Sequence, residues 1–393
     1  MQQNVNLHSI MKTFADTTGL SNDSHHQRRY LWTDAFAVCN YLELYRQTDK
    51  QEYMQLCLKL VDQVHHILGK NRENDAWLSG LDDEQASLHP TLGGLRIGKQ
   101  LNERQASEPF DDFLEWQRDG QYFHYLTKWM HALNCVSRAT GNGIYNQWAI
   151  ELAQTSHAAF SYRPAAGGAK QMYWKMSTDL SRPLVDSMGQ HDPLDGLITY
   201  QQLEATAKLF PETSQKSSLK TEIEELLAMC SRRDWATQDP LGIGGLLTDA
   251  YRLVQLINTH QLHDTSRLES LLQDIERSLQ AFITDNQHNP LNSPAESRLA
   301  FRELGLAIGI YAINKMQAAI QAASKQHPEV FTNINQLNSS LTNLSRFYPV
   351  YDFIRDFWLE AEHRSVSTWL EHADINNVML ATCLAPDSYL KIE

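Results

Sequence analysis

The residue types best suited to chemistry gather in Asp119-Gly-Gln-Tyr-Phe-His-Tyr-Leu-Thr-Lys-Trp-Met-His-Ala-Leu133. On a helix, Gln121, His124, Tyr125, Lys128 and His131 fall on one stripe, and Phe123, Leu126, Trp129, Met130 and Leu133 cover most of the remainder. A solvated helix face is a mix of Lys, Glu and Ser. A stripe of amide, imidazole and phenol is instead what hydrogen-bonds a neutral polyol, so the stretch reads as the wall of a wet cavity. The structural alternative is a helix end with two satisfied histidines.

Acid–base work needs carboxyls or imidazoles whose proton affinities differ. Asp34 lies one turn into a helical stretch, just behind Trp32, where a carboxylate is also favoured by the helix dipole alone. Glu303 sits in the most apolar helix, among Phe301, Leu304, Leu306, Ala307 and Ile308, with Arg302 pointing about 100° away. Its neutral form is expected to be favoured unless a cation sits beside it. Glu303 is therefore expected to be the proton donor and Asp34 the base or stabiliser, with a buried Glu303–arginine pair as the structural alternative.

Further candidates lie in the loops. His89-Pro-Thr-Leu-Gly-Gly-Leu-Arg96 pairs a close backbone approach at Gly93-Gly94 with hydrogen bonds from His89 and Arg96. Tyr173-Trp174 and Asp186-Ser-Met-Gly-Gln-His-Asp-Pro-Leu-Asp-Gly196 form the densest polar-aromatic segment. There Asp192-Pro193 reads first as an N-cap followed by proline, while His191 and Asp195 are kept as site residues. Phe357-Trp-Leu-Glu-Ala-Glu-His-Arg364 offers Trp358 and a Glu360–His363 pair three residues apart. Trp32, Tyr122, His124 and Trp174 are expected to line one pocket, since flat rings stack on sugar faces. Glu371, His372 and Asp374 do not match metal-site spacing, and no metal or other cofactor is expected.

Composition bounds what such a site could serve. The chain has 393 residues, 42% hydrophobic and 21% charged, the balance of a globular protein with a sizeable core. A net charge of −13 without a basic cluster argues against nucleic acid or an anionic membrane as partner. No apolar run approaches the roughly 20 residues of a membrane helix, and Met-Gln-Gln-Asn-Val-Asn lacks the plan of a signal peptide. Five scattered cysteines (Cys39, Cys57, Cys135, Cys230 and Cys383) suit reduced thiols, and the expected setting is the cytoplasm.

The elements that must position the candidates repeat along the chain. Residues 1–26 are polar and expected to be partly ordered, with a short helix around 10–14. Paired helical stretches then follow: 28–48 with 52–68, 120–140 with 144–160, 194–210 with 219–229, 243–260 with 267–282, and 298–323 with 330–347. A last helical region covers 353–384, and irregular loops fill 69–118 and 161–192. First helices, such as Leu304-Gly-Leu-Ala-Ile-Gly-Ile-Tyr-Ala-Ile313, are apolar all round, while second helices are amphipathic. Alternating buried and half-exposed helices predict one all-α domain over 27–393, an (α/α)6 toroid of hairpins in two rings, with an open α-solenoid as the runner-up.

Arg28-Arg-Tyr-Leu-Trp-Thr-Asp34, Gly120-Gln-Tyr-Phe-His124 and Gly189-Gln-His-Asp-Pro193 resemble the inner-helix starts of the six-hairpin glycosidase-like superfamily. The resemblance implies a sugar substrate bound at the open end of the barrel, by inner-helix starts and long loops. In that setting Asp34, Glu303, Asp195 and His363 would be catalytic. Arg29, Trp32, His89, Arg96, Gln121, Tyr122, His124, Lys128, Trp174, His191 and Trp358 would bind the saccharide. A glycoside hydrolase using two carboxyls is the leading expectation. A sugar epimerase using a pair such as His124 and His363, or a noncatalytic sugar-binding toroid, are the alternatives. Oligomeric state stays open.

Overall fold

The computed structural model describes residues 5–21, 27–214, 218–231, 233–259, 262, 264–284, 290–327, 330–331 and 333–392. Helices take up 65% of these residues, and the strands among them are two or three residues long. The fold class is all-α, of the (α/α)6 hairpin type. The chain divides into two compact units, residues 15–231 in one and residues 1–14 with 232–392 in the other.

The 15–231 unit holds three hairpins. They are α1 (Leu31–Thr48) with α2 (Gln51–Leu68), α3 (Phe123–Thr140) with α4 (Ile144–Phe160), and α5 (Asp192–Ala207) with α6 (Lys220–Met229). The first helix of each is the buried one. In α1 everything from Leu31 to Leu44 is buried, and α5 buries nearly all of Asp192–Ala207, whereas α2 hides one face only. α3 packs on α1 and on α5, so the three first helices stand side by side. Asp49 and Gly141 end α1 and α3 in the left-handed conformation, which gives the tight turns into α2 and α4.

The unit of residues 232–392 repeats the plan with α7 (Pro240–Asn258) and α8 (Thr265–Thr284), α9 (Ala300–Gln326) and α10 (Ile334–Ser345), and α11 (Tyr348–Leu359) and α12 (Ala373–Leu384). Its heaviest contact is α7 on α9. Glycine sets that crossing: a Cβ on Gly244 would sit 2.2 Å from the Gly305 carbonyl oxygen, and one on Gly309 would sit 2.6 Å from the Gly244 oxygen. The Ala/Gly richness of these helices is thus a requirement for close backbone approach. The N-terminal helix runs from Leu7 to Thr17, longer than the 10–14 expected.

In the 15–231 unit the two irregular stretches interlock at the start of α3. Strand β1 (Gln121–Tyr122) pairs antiparallel with β4 (Lys175–Met176), which pairs with β5 (Pro183–Val185). A second short ladder joins β2 (Ser161–Tyr162) to β3 (Gln171–Met172). The fully buried Lys175 ammonium donates to the Glu115 carboxylate at 2.9 Å and to the Glu115 and Arg118 carbonyls at 2.7 and 2.9 Å. Arg104 bridges Glu115 at 3.0 Å and the Leu184 carbonyl at 3.0 Å, and Arg182 pairs with Glu103. Three buried or half-buried cations held this way fix the loop carrying Trp174 against the first turn of α3. The 69–118 and 161–192 stretches therefore meet at one end of this unit, as the hairpin pattern requires.

Candidate functional site

Helix α3 begins at Phe123, two residues later than the polar stripe assumed, and this re-sorts the stripe. Gln121 lies in β1, fully buried, accepting from Leu95 N–H at 2.8 Å and donating to the Gly93 and Thr178 carbonyls at 3.1 and 2.7 Å. It pins loops and does not face a ligand. The Gly93-Gly94 approach is real: Gly94 has φ +73° and a Cβ there would overlap the Gln121 amide at 2.1 Å. His131 is fully buried two turns beyond His124 and turns to Gln202 and Cys135.

What remains around His124 is a polar-aromatic cluster. The His124 ring stacks on Trp174 at 6.2 Å and meets Tyr122 at 5.2 Å and Tyr125 at 4.9 Å. Tyr122 also touches Trp174 at 5.2 Å, and half-exposed Trp116 stands edge-on to Trp174 at 4.9 Å. The Tyr125 and Tyr30 hydroxyls share a 2.8 Å hydrogen bond, and burial pushes the Tyr30 phenol up to about 12. Three of the four rings expected to line one pocket touch one another. Trp32 does not: it is buried in α1 on Phe36 at 4.5 Å.

Behind the rings stands Asp192, the first residue of α5. His191 occupies the N-cap position and Asp192 makes no capping bond, so the N-cap reading is corrected. The Asp192 carboxylate is 5% exposed, its Oδ1 lies 3.8 Å from His124 Nδ1, and both Oδ2 and that Nδ1 are buried without a hydrogen-bond partner. Burial, reinforced by the charge of Asp195, pushes Asp192 up to about 7, although Lys128 pulls the other way. Burial and Lys128 push His124 down to about 4, with Asp195 opposing. Since 29% of the His124 side chain meets solvent, water tempers that fall. Near neutral pH the pair is a neutral imidazole beside a carboxyl that titrates in that range. Asp195 itself is engaged, accepting from the Thr127 hydroxyl and from Lys128 Nζ at 2.7 Å. It and Lys128 set the field in which the pair titrates.

Most of the other expected site residues are held by partners within the fold. Both Asp34 oxygens are used, by Arg29 at 3.2 Å and the Tyr30 N–H at 2.9 Å, and the residue is 1% exposed, so it is no open base. Arg29 also donates to the Thr18 carbonyl, and Arg96 divides its guanidinium among Asp119, Lys70 and Ile67. His89 pairs with Glu151 at 2.8 Å, away from the aromatic cluster's residues, and His191 is half-buried at the start of α5.

Glu303 lies in the 232–392 unit and is corrected most sharply. Arg298 grips it with three hydrogen bonds of 2.6–3.1 Å, and the buried Trp358 indole donates to it at 2.9 Å. A cation does sit beside it, so the premise of a lone neutral carboxyl fails, and Trp358 is part of that buried pair. His363 stacks on Phe357 at 3.7 Å with Nδ1 at 2.6 Å from the Phe357 carbonyl, which makes Nδ1 the donor. α11 ends at Leu359, so Glu360 and His363 share no helical face.

A shallow groove of about 420 Å³ in the 15–231 unit is lined by Leu78, Leu92, Gly93, Thr155, Ala158 and Leu180, with Asp179 the one titratable group. It shares no residue with the His124 cluster. Lacking an imidazole or a second carboxyl, it offers no acid–base pair.

No family model and no curated protein sequence matches the chain. Among solved structures, it is similar to cellobiose 2-epimerase from Spirochaeta thermophila DSM 6192, with 12% identity over 87% of this chain and 84% of that one, at a TM-score of 0.45. It is also similar to cellobiose 2-epimerase from Bacillus thermoamylovorans B4167, with 10% identity over 82% and 76%, at a TM-score of 0.43. Among the described residues no helix is long and apolar enough to cross a membrane.

Proposed function

We propose that the chain is a sugar epimerase or isomerase in which His124 and Asp192 move a proton at the carbon next to a carbonyl. The observation that carries this reading is the pair itself: two buried, unpartnered polar atoms on groups whose proton affinities are pushed apart, His124 down to about 4 and Asp192 up to about 7. Neutral His124 is the base that takes the C–H proton, and the electron pair left behind moves onto the carbonyl oxygen as an enediolate. The carboxyl of Asp192 returns a proton. Delivery to the same carbon from the other face gives the epimer, and delivery to the neighbouring carbon, with the adjacent hydroxyl's proton passing to the former carbonyl oxygen, gives the isomer. Tyr122, Trp174 and Trp116 supply flat faces for a sugar ring.

The hydrolase alternative is weaker because its carboxyls are occupied. Asp34, Asp195 and Glu303 each hold a cation and at least one further donor. The names of the two similar structures add no weight at that level of similarity. We also propose that residues 27–393 are one folding unit of the six-hairpin glycosidase-like superfamily, which requires a single calorimetric transition. For the reaction, free aldoses, ketoses, reducing disaccharides and aryl glycosides are incubated with the protein and followed by NMR. Appearance of an epimer or a ketose, absent in His124→Asn, supports the reading. Release of aglycone or monosaccharide without epimerisation would replace it with hydrolysis.

A further inference from the structure

Two helical turns from His124, α3 carries a second group of reactive side chains that the proton-transfer reading does not use. Cys39 of α1 and His131 and Cys135 of α3 each offer one ligand atom, and the three atoms lie within 4.8 Å of one another. Cys39 and His131 are fully buried. We infer that Cys39, His131 and Cys135 form a binding site for a soft, zinc-class metal ion that clamps α1 to α3.

The geometry fits before any ion is bound. His131 Nε2 lies 3.5 Å from Cys135 Sγ. Metal–nitrogen and metal–sulfur bonds of about 2.0 and 2.3 Å at the tetrahedral angle span about 3.5 Å, so these two ligands already form one edge of the polyhedron. Positions 131 and 135 are one helical turn apart, which puts both on one face of α3, opposite Cys39. Closing the remaining separations takes side-chain rotation of about 1 Å, since two thiolates on a tetrahedral ion stand about 3.8 Å apart.

The surroundings also fit a ligand histidine. His131 Nδ1 lies 3.1 Å from Gln202 Oε1 and 3.0 Å from Gln202 Nε2, and that amide nitrogen donates to Asn134 Oδ1 at 2.6 Å. Asn134 continues the chain to Asn146 at 2.8 Å and Asn146 to the Leu203 carbonyl at 3.1 Å. In the tautomer whose Nδ1–H donates to the Gln202 oxygen, the Nε2 lone pair faces the thiols, the arrangement that orients a metal-bound imidazole. Two thiolates and an imidazole select zinc-class or cuprous ions over magnesium or calcium, and three protein ligands leave a fourth position for water. The expectation of a chain without metal rested on metal-site spacing along the sequence. Here the ligands come from two helices, which no linear spacing displays.

Cobalt(II) titration of the full, reduced protein tests this. One equivalent should give visible d–d bands and charge-transfer absorption of an intensity corresponding to two thiolates, both displaced by zinc. Cys39→Ser and His131→Asn should each weaken cobalt binding at least tenfold, whereas Cys230→Ser should leave it unchanged. One equivalent of zinc should also raise the wild-type melting temperature. Wild-type protein giving no thiolate charge transfer, or bands that survive Cys39→Ser, overturns the site. Because the decisive reading is on the wild type, failure of a variant to fold leaves the test intact. Sugar turnover plays no part in it.

Discussion

Replacing Asp192 by Asn should change stability with a sign that depends on pH. Its carboxyl has a proton affinity raised from 3.8 to about 7 in the folded chain, a difference worth about 4 kcal/mol at roughly 1.36 kcal/mol per unit. A raised carboxyl is tolerated when protonated, so its cost is absent below about pH 4. The cost grows as pH rises from there and is complete above about pH 7. Asn removes this cost but places a new amide N–H₂ in a spot with no partner, at about 1–3 kcal/mol. The variant should therefore be less stable than wild type at pH 4.5, equal near pH 5–6, and more stable by about 1–3 kcal/mol at pH 8. Urea denaturation followed by tryptophan fluorescence at several pH values reads this crossing. A difference that stays constant from pH 4.5 to 8 would refute the buried, protonatable carboxyl.

His124 carries the opposite slope: its affinity is lowered, so its contribution is lost as pH falls from 6.5 towards about 4, and His124→Gln should flatten the acid limb of the stability profile. Lys128→Met removes a charge that lowers both groups, so both limbs of the pH–rate profile should move to higher pH. Glu303→Gln strands Arg298 and should cost about 3–5 kcal/mol in urea denaturation, with activity per folded molecule kept. Trp174→Ala should raise KM for a sugar substrate more than it lowers kcat.

Much of the fold was legible because apolar period and turn chemistry agree. The helix 144–160 came out at its observed bounds. The site was legible where the signal was local. His124, Tyr122 and Trp174 were found, since an imidazole beside aromatic loop residues is unusual on a solvated face. His131 shares that face, but two turns is about 11 Å, which takes it from the cluster into the core. Asp192 was passed over because Asp before Pro usually caps a helix. What marks it as a candidate is burial beside His124, sixty-eight positions away in sequence. Glu303 failed for the reverse reason. Its partner Arg298 lies just before α9, outside any helical register that would have aligned the two.

Solvent deuterium wash-in tests the central claim most directly. A sugar substrate is incubated in deuterium oxide with wild type, His124→Asn and Asp192→Asn, and the proton at the carbon beside the carbonyl is followed by NMR. The account predicts that wild type exchanges that proton during epimerisation or isomerisation and that His124→Asn exchanges none. Wild-type turnover with full retention of the proton, or exchange that persists in His124→Asn, would contradict it.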